Sequence, residues 1–436
     1  MAVVVGMAVT GLAMAARLAA EGFRVVGVDD LPNASVRDLA AQSGATLLEA
    51  PSTNELAGVV ARADLVVASP GVPPYHPLFS LGVPVIGDIE FASRRASVPI
   101  LAITGTAGKT TVTTLVTSML VASGRRAMAA GNIGVPLVNA IATDAEILVV
   151  EVSSFQLSLT DSFHPRVAVW LNVAENHLDW HRDMDEYVAA KAKIWANCGD
   201  GDTVVVNAED SEVMATARSS PVVPTTFGLN QGDYRLVGRA LCLPNGEVVA
   251  GLDELPRRRP HDVANALAAV ATAHAAGAGL EACHEALVSF AGLPHRVEPL
   301  GEAGGVGYYN DSKATTPSAV LAALSGFDSV VLIAGGRNKG VSLAPLAQGA
   351  GVVRAVVAIG EAAPEVEDVF APLRPVAMAH SMDEAVQRAA DLARPGDAVL
   401  LSPGCASFDW YRSYEERGDD FKRAVGNLFR HAKEAT

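Results

Sequence analysis

Short uninterrupted apolar runs recur along the chain, and most of them end on a glycine turn that leads into a segment of helical periodicity. Val3-Val4-Val5 runs into Gly6-Met7-Ala8-Val9-Thr10-Gly11. A helical pattern follows from Leu12 to Glu21, then the run from Arg24 to Val28 that ends on Asp29. Leu65 to Ala68 leads in the same way into Ser69-Pro70-Gly71. The rhythm restarts at Val98–Ile103 and returns at Glu146–Val152, Arg166–Asn172 and Thr203–Asn207. It restarts again at Ser329–Ala334, Val353–Ile359 and Ala398–Ser402. Continuous rather than alternating hydrophobicity marks strands buried on both faces, as in a parallel sheet covered by helices. Pro260-His261 predicts the start of a long helix running to about Gly277, and Ser381-Met382-Asp383-Glu384 reads as a capping box before another. The pattern predicts an α/β chain in three successive blocks, residues 1–92, 93–295 and 296–436, with no short-period repeat and no low-complexity tail.

Composition narrows the class. A length of 436 residues suggests about three domains, and 50% hydrophobic with 19% charged residues is ordinary for a globular protein. A formal charge of −15 argues against nucleic acid or an anionic membrane as partner, so any phosphate site has to be built locally from lysines, arginines and helix ends. Cys198, Cys242, Cys283 and Cys405 are scattered without a Cys-x-x-Cys pair, which fits a reducing compartment. The chain opens on a strand-like run without a basic leader. The uncharged, alanine-rich run Val263 to Leu280 is too weakly apolar to span a bilayer. A soluble, cytoplasmic protein is expected.

Chemistry concentrates where apolar runs end. Thr104-Gly105-Thr106-Ala107-Gly108-Lys109-Thr110-Thr111 lies between a strand and the helical Val112–Leu120. Glycines there let backbone N–H groups turn around an oxyanion, Lys109 adds charge, and the Thr110 hydroxyl can sit on Mg²⁺. The loop reads as a cradle for ATP phosphates. Glu151 closes a later strand, where it is either a metal-facing acid of the kind that binds nucleotide Mg²⁺ or a solvated carboxylate. Ser153-Ser154-Phe155-Gln156 adds polar groups beside it, and Asn172 to Asp179 brings His177 to what is expected to be the same sheet edge. By chemistry alone Lys191 and Lys193, in a helical segment, read as solvated surface lysines. Asn310 to Thr315, Gly335 to Gly340 and Ser402 to Asp409 are turns at strand ends, open to either a structural or a substrate-contact reading. In the first block the dinucleotide fingerprint is incomplete, since Ala8 stands at its second glycine, so NAD is disfavoured.

Taken together these segments resemble the Mur ligases over the whole chain. The resemblance rests on Asn132-Ile133-Gly134, Glu151 through Leu157, Asn176 through Asp179, His261 with Asn265, Leu293 through Arg296, Asn310 through Thr315 and Ser402 through Ser407, in the family's order. It implies three domains: N-terminal Rossmann-like, a central P-loop ATPase-type parallel sheet, and C-terminal Rossmann-like. It further implies ATP-dependent addition of D-glutamate to UDP-N-acetylmuramoyl-L-alanine through an acyl phosphate, with Mg²⁺ as cofactor. The implied contacts are Thr10, Gly11, Asp29, Asp30, Ser69, Pro70, Gly71, Asn132, Ser153, Gln156 and His177 for the UDP substrate. ATP would be held by Gly105, Thr106, Ala107, Gly108, Lys109, Thr110, Thr111, Asn265, Arg296 and Asp311, and D-glutamate by Thr315, Lys339, Ser407, Phe408 and Tyr414. Lys109, Glu151, His177 and Lys191 would be catalytic, and the metal would lie against Thr110, Glu151, His177 and Lys191, the last as a carbamate. Small-molecule substrates, no nucleic acid, no membrane and a monomer are the partner expectations. The chain departs from the family at Ala107, where asparagine is common, at Asp262, where asparagine is also frequent, and at Asp30, which replaces a hydroxyl residue.

Overall fold

A computed structural model describes residues 1–32, 34–177, 180–338 and 341–434. The chain divides into two compact units, residues 1–291 and 292–436.

The first unit contains two sheets. In the first, β1 (Ala2–Val5), β2 (Val25–Asp29), β3 (Thr46–Glu49), β4 (Leu65–Ala68) and β5 (Ile86–Gly87) lie in the order β3-β2-β1-β4-β5, all parallel. The apolar run Ala2–Val5 is buried throughout, as a central strand requires. The turn after β1 needs its glycine at position 11, because a Cβ there would run into the Gly6 carbonyl.

The second sheet has nine strands. They are β6 (Ile100–Thr104), β7 (Ala127–Gly131), β8 (Ile147–Glu151), β9 (Val167–Trp170), β10 (Thr203–Asn207), β11 (Thr225–Gly228), β12 (Tyr234–Val237), β13 (Ala240–Cys242) and β14 (Val248–Gly251). Their order is β14-β13-β12-β11-β10-β9-β6-β8-β7, parallel from β7 to β12 and antiparallel at β13 and β14. Strand β6 lies between β8 and β9, so the loop after β6 opens where strand order reverses, the usual ligand crevice of such sheets. Both faces are covered. Trp170 and Trp195 pack in the core on one side, and the helix Pro260–Ala275 packs with Lys109–Ala122 on the other.

The second unit has β15 (Glu298–Ala303), β16 (Val306–Asn310), β17 (Val330–Gly335), β18 (Val353–Ile359), β19 (Val376–Ala379) and β20 (Ala398–Gly404) in the order β15-β16-β20-β17-β18-β19. Among the described residues of this sheet only the β15–β16 pair is antiparallel. The long helix Tyr414–Glu434 packs on this sheet through Phe421, Ala424 and Val425.

The buried parallel strands stand where the apolar runs predicted them, within a residue or two. The hairpin strands β12 to β15 were not expected, nor were β3, β5, β7, β11, β16 and β19, because these strands are short or only partly buried and leave no continuous apolar run. One cap is corrected. Ser381 accepts from the Glu384 N–H as expected, but the Glu384 carboxylate accepts from the His380 N–H instead of closing a capping box.

Candidate active site

The phosphate loop is held before any ligand arrives. Asn172, at the end of β9, accepts through Oδ1 from the N–H groups of Thr106 (3.0 Å) and Ala107 (2.9 Å) and donates through Nδ2 to the Ala107 carbonyl at 3.1 Å. The Thr106 hydroxyl lies 3.0 Å from the Tyr187 hydroxyl and accepts from Ala174 N–H at 3.0 Å. Neither Asn172 nor Tyr187 was singled out from sequence. Asn172 is at least visible as a polar residue ending an apolar strand. Gly108 closes the loop at φ +83°, and a Cβ there would collide with the Asn265 side chain. Gly108→Ala is therefore expected to cost about 1–2 kcal/mol in backbone strain alone and to displace Asn265. A raised KM for ATP together with a lowered melting temperature would show it; unchanged values of both would refute it. The helix Lys109–Ala122 begins on the loop with its N–H end facing the cradle. Lys109 donates to the carbonyls of Gly105 (2.9 Å) and Thr106 (3.1 Å).

Glu151, the last residue of β8, is 3% exposed, which settles the choice left open by sequence against a solvated strand-end acid. Its carboxylate accepts from the Thr110 hydroxyl at 2.7 Å and from the Asn132 amide at 2.9 Å. Lys191 is 1% exposed, so the surface-lysine reading is wrong for it. Its amine donates to the Gly105 carbonyl at 3.0 Å, lies 3.5 Å from Thr104 Oγ1, and sits 4.6 Å from the centre of the Tyr187 ring. Burial first, then the neighbouring Lys109 charge, hold its pKa well below the ordinary lysine range. Lys193 is half-buried and donates to the carbonyls of Ser158 (2.7 Å) and Thr160 (3.1 Å), so it too is not a free surface residue. The helical pattern around both lysines was real, but it could not reveal which face the sheet would cover.

His177 has a left-handed backbone (φ +58°) and stands edge-on to Phe155, ring centres 4.7 Å apart. His181, which the sequence reading passed over, is buried and lies 2.9 Å from the Ser154 hydroxyl. Leu178 and Asp179 lie outside the described residues. Among the described residues no three His, Cys, Asp or Glu side chains come together as a ready-made metal cluster. The donors beside Glu151 are oxygens and an amide, which suits a hard cation that keeps waters and takes further oxygens from phosphates.

In the first sheet, the residues expected at the UDP substrate gather at the strand ends. Asp29 accepts from the N–H groups of Met7 (2.8 Å) and Leu31 (3.0 Å), tying the β1 and β2 turns together. Ser69 donates to the Gly6 carbonyl at 2.5 Å, beside Thr10, Gly11, Pro70 and Gly71. Asp30 is exposed and pairs with buried His76 at 3.3 Å.

In the second unit, the three strand-end segments converge. Asp311 accepts from Ser402 Oγ at 2.8 Å and from Val297 N–H at 3.2 Å, next to Arg296. Buried Arg417 donates to Ser312 Oγ (2.9 Å), the Ser312 carbonyl (2.8 Å) and the Cys405 carbonyl (3.1 Å). Burial lowers its pKa to about 10. Sequence reading missed Arg417, since one arginine in a charged helix carries no signal. Lys313 lies 3.8 Å over the Tyr414 ring, Ser407 is buried, and Phe408 is 54% exposed. Thr315 is exposed at the same edge, while Lys339 and Gly340 lie outside the described residues.

Known proteins bear on these observations. The description "Mur ligase middle domain" matches residues 103–273, and "Mur ligase, glutamate ligase domain" matches residues 295–405. The chain is 43% identical to a UDP-N-acetylmuramoylalanine–D-glutamate ligase of Frankia casuarinae, over 97% of this chain and 93% of that protein. The counterpart in Geobacter metallireducens is 40% identical, over 98% and 97%. In structure, a UDP-N-acetylmuramate–alanine ligase from Thermotoga maritima superposes with a TM-score of 0.61 at 19% identity, covering 97% of this chain and 99% of that one. An Escherichia coli FolC solved with ADP superposes at 0.56 with 17% identity, covering 84% and 100%. At such identities these two structures speak to fold alone.

Proposed function

The chain belongs to the Mur ligase family, and on that footing we propose that it joins D-glutamate to UDP-N-acetylmuramoyl-L-alanine with cleavage of ATP, in peptidoglycan precursor synthesis. The observation that carries the reading is the Thr110–Glu151–Asn132 hydrogen-bond chain beside the phosphate loop, with the buried Lys191 amine on the loop's inner carbonyl. It supports a site that holds ATP phosphates close to a substrate carboxylate.

The chemistry follows from what a carboxylate lacks. It is a poor acyl donor, so its oxygen attacks the γ-phosphorus of ATP, ADP leaves, and an acyl phosphate forms. The D-glutamate amine then adds to that carbonyl and loses a proton, and the tetrahedral species collapses to the amide and inorganic phosphate. Both reactants of the first step are anions. Lys109 and the N–H end of the helix Lys109–Ala122 serve to balance the phosphate charge, on a loop whose shape Asn172 already fixes through Thr106 and Ala107. Glu151 and Thr110 would hold Mg²⁺, with His177 and a carbamate on Lys191 completing the set. When bound, the ion screens the repulsion between phosphate and carboxylate. Carbamylation suits Lys191 because only a neutral amine attacks CO₂, and the lowered pKa favours the neutral form; the product is an anion and a released proton.

The division of labour we propose assigns the UDP part of the substrate to residues 1–92, most contacts to ATP to 93–295 and D-glutamate to 296–436. Asn132, Ser153, Gln156 and His177 meet the muramoyl-alanine end, Asn265, Arg296 and Asp311 the rest of ATP, and Thr315, Lys339, Ser407, Phe408 and Tyr414 the amino acid. Among the described residues no helix is long and apolar enough to cross a membrane. The reading carries with it the proposal of a cytoplasmic, monomeric enzyme on small-molecule substrates. Offering D-glutamate, L-glutamate and L-alanine to the purified protein with ATP, Mg²⁺ and the UDP substrate decides the matter. Amide formation and phosphate release with D-glutamate are expected; ligation of another amino acid in its place would overturn the assignment.

A further inference from the structure

Asp88 opens the short helix Asp88–Ser93 that leads out of the first sheet, and it is 3% exposed. Its Oδ2 accepts from the Gln156 side-chain amide at 2.8 Å, while Oδ1 is buried with no hydrogen-bond partner. Burial pushes this carboxyl up to about 6, against the lowering pull of the Gln156 amide and, after it, of the backbone N–H groups of Ile89 and Asp88 at the helix start. A group this poorly accommodated is a cost to stability, and an unsatisfied buried polar atom calls for another reason to be there.

The reason lies on the far side of Gln156. The carbonyl end of the same amide accepts from Ser153 N–H (3.0 Å) and Ser153 Oγ (3.1 Å), and Gln156 N–H donates back to Ser153 Oγ at 3.2 Å. Ser153 stands two residues after Glu151, on a chain already pinned by the bond from Thr104 Oγ1 to the Val152 carbonyl at 2.8 Å. The other end of the helix Ser154–Ser158 is gripped from the same junction. Gly87 N–H donates to the Leu159 carbonyl at 3.1 Å, and buried Glu90 accepts from the N–H groups of Asp161 (3.0 Å) and Ser162 (2.9 Å).

We infer that Asp88 is a positioning residue of the ligation: by holding the Gln156 amide it orients Gln156 and Ser153, the polar side chains that follow Glu151, toward the substrate. The inference rests on the ligase reading above. A carboxylate only accepts hydrogen bonds, so it takes one N–H of Gln156. Ser153 takes the carbonyl, and the second N–H is the part of the amide left for a substrate oxygen. Without Asp88 the amide is held at one end only.

The experiment compares Asp88→Ala, Asp88→Asn and Gln156→Met, alone and as Asp88→Ala/Gln156→Met, in steady-state ligation at pH 8 together with melting temperatures. Asp88→Ala is expected to lower kcat/KM for the UDP substrate roughly tenfold or more, with KM for ATP within about twofold. Asp88→Asn, which keeps an acceptor, restores most of the activity. The double variant is expected to be no worse than Gln156→Met. Because the raised carboxyl pKa makes native stability fall as pH rises through about 6, neither Asp88 variant is expected to melt lower than the parent by more than a few degrees. Wild-type kcat/KM in Asp88→Ala, or full additivity in the double variant, would overturn the inference while leaving the ligase reading intact. Absence of D-glutamate ligation in the unmodified enzyme would strike the reading itself.

Discussion

Glu151→Gln is expected to lower kcat for ligation by about a thousandfold while leaving the fold intact. The substitution is isosteric, and an amide oxygen can still accept from Thr110 or Asn132, so the hydrogen-bond frame that the carboxylate anchors is largely kept. What is lost is a full negative charge buried beside the phosphate loop. Losses of a hundredfold to a thousandfold are typical when one preorganised charge or donor is removed from such a site, and if Glu151 holds Mg²⁺ as proposed the loss of that ligand adds to it. Removing a buried charge costs the fold little, so the melting temperature is expected to hold. A further signature is a shift of the Mg²⁺ dependence to higher concentration. Activity within about tenfold of wild type at the usual Mg²⁺ would refute the role given to Glu151.

Lys191→Ala is expected to reduce ligation by a similar factor, and it tests something different. Burial and the Lys109 charge both disfavour an ammonium at Lys191, and the proposed Mg²⁺ would add to that repulsion, which is the ground for proposing a carbamate there. Short carboxylic acids added to the variant are expected to restore part of the activity by standing where the carbamate stood. Incubation of the unmodified enzyme with ¹³C-bicarbonate is expected to give a carbamate signal that Lys191→Ala lacks, a readout independent of turnover. The stability effect has a definite sign. The folded pKa of Lys191 is depressed, so between that value and the usual lysine range the unfolded chain binds more protons, and stability rises with pH there. Lys191→Met, which fills the same space without a charge to bury, should therefore melt no lower than wild type at neutral pH. Full ligation by Lys191→Ala, or an unchanged ¹³C signal, would dispose of the carbamate.

Legibility from sequence followed the range of the interactions involved. The phosphate loop could be read because its glycines, Lys109 and Thr110 adjoin in the chain and lie between a strand and a helix, a short-range pattern. Its tether could not. Asn172 is 66 residues from Thr106 and reaches it only because β9 pairs with β6. Glu151 was visible as an acid ending an apolar run, yet its partner Thr110 is 41 residues away. Lys191 gave the wrong local impression, since a lysine in a weakly amphipathic helix carries no mark of the face that will be covered. Only resemblance to a family corrected that before the structure did.

The sequence by itself determined the alternation of buried strands and helices, the cradle for phosphates and the strand-end placement of the acid, because backbone conformation and hydrophobic period are local properties. Tertiary structure alone decided that β6 lies between β8 and β9, that Lys191 is dry, that Arg417 gathers the loops of the second unit, and that Asp88 grips Gln156 across 68 residues. Burial and the identity of a hydrogen-bond partner are set by which strands become neighbours, and that choice is made by the packing of the whole chain.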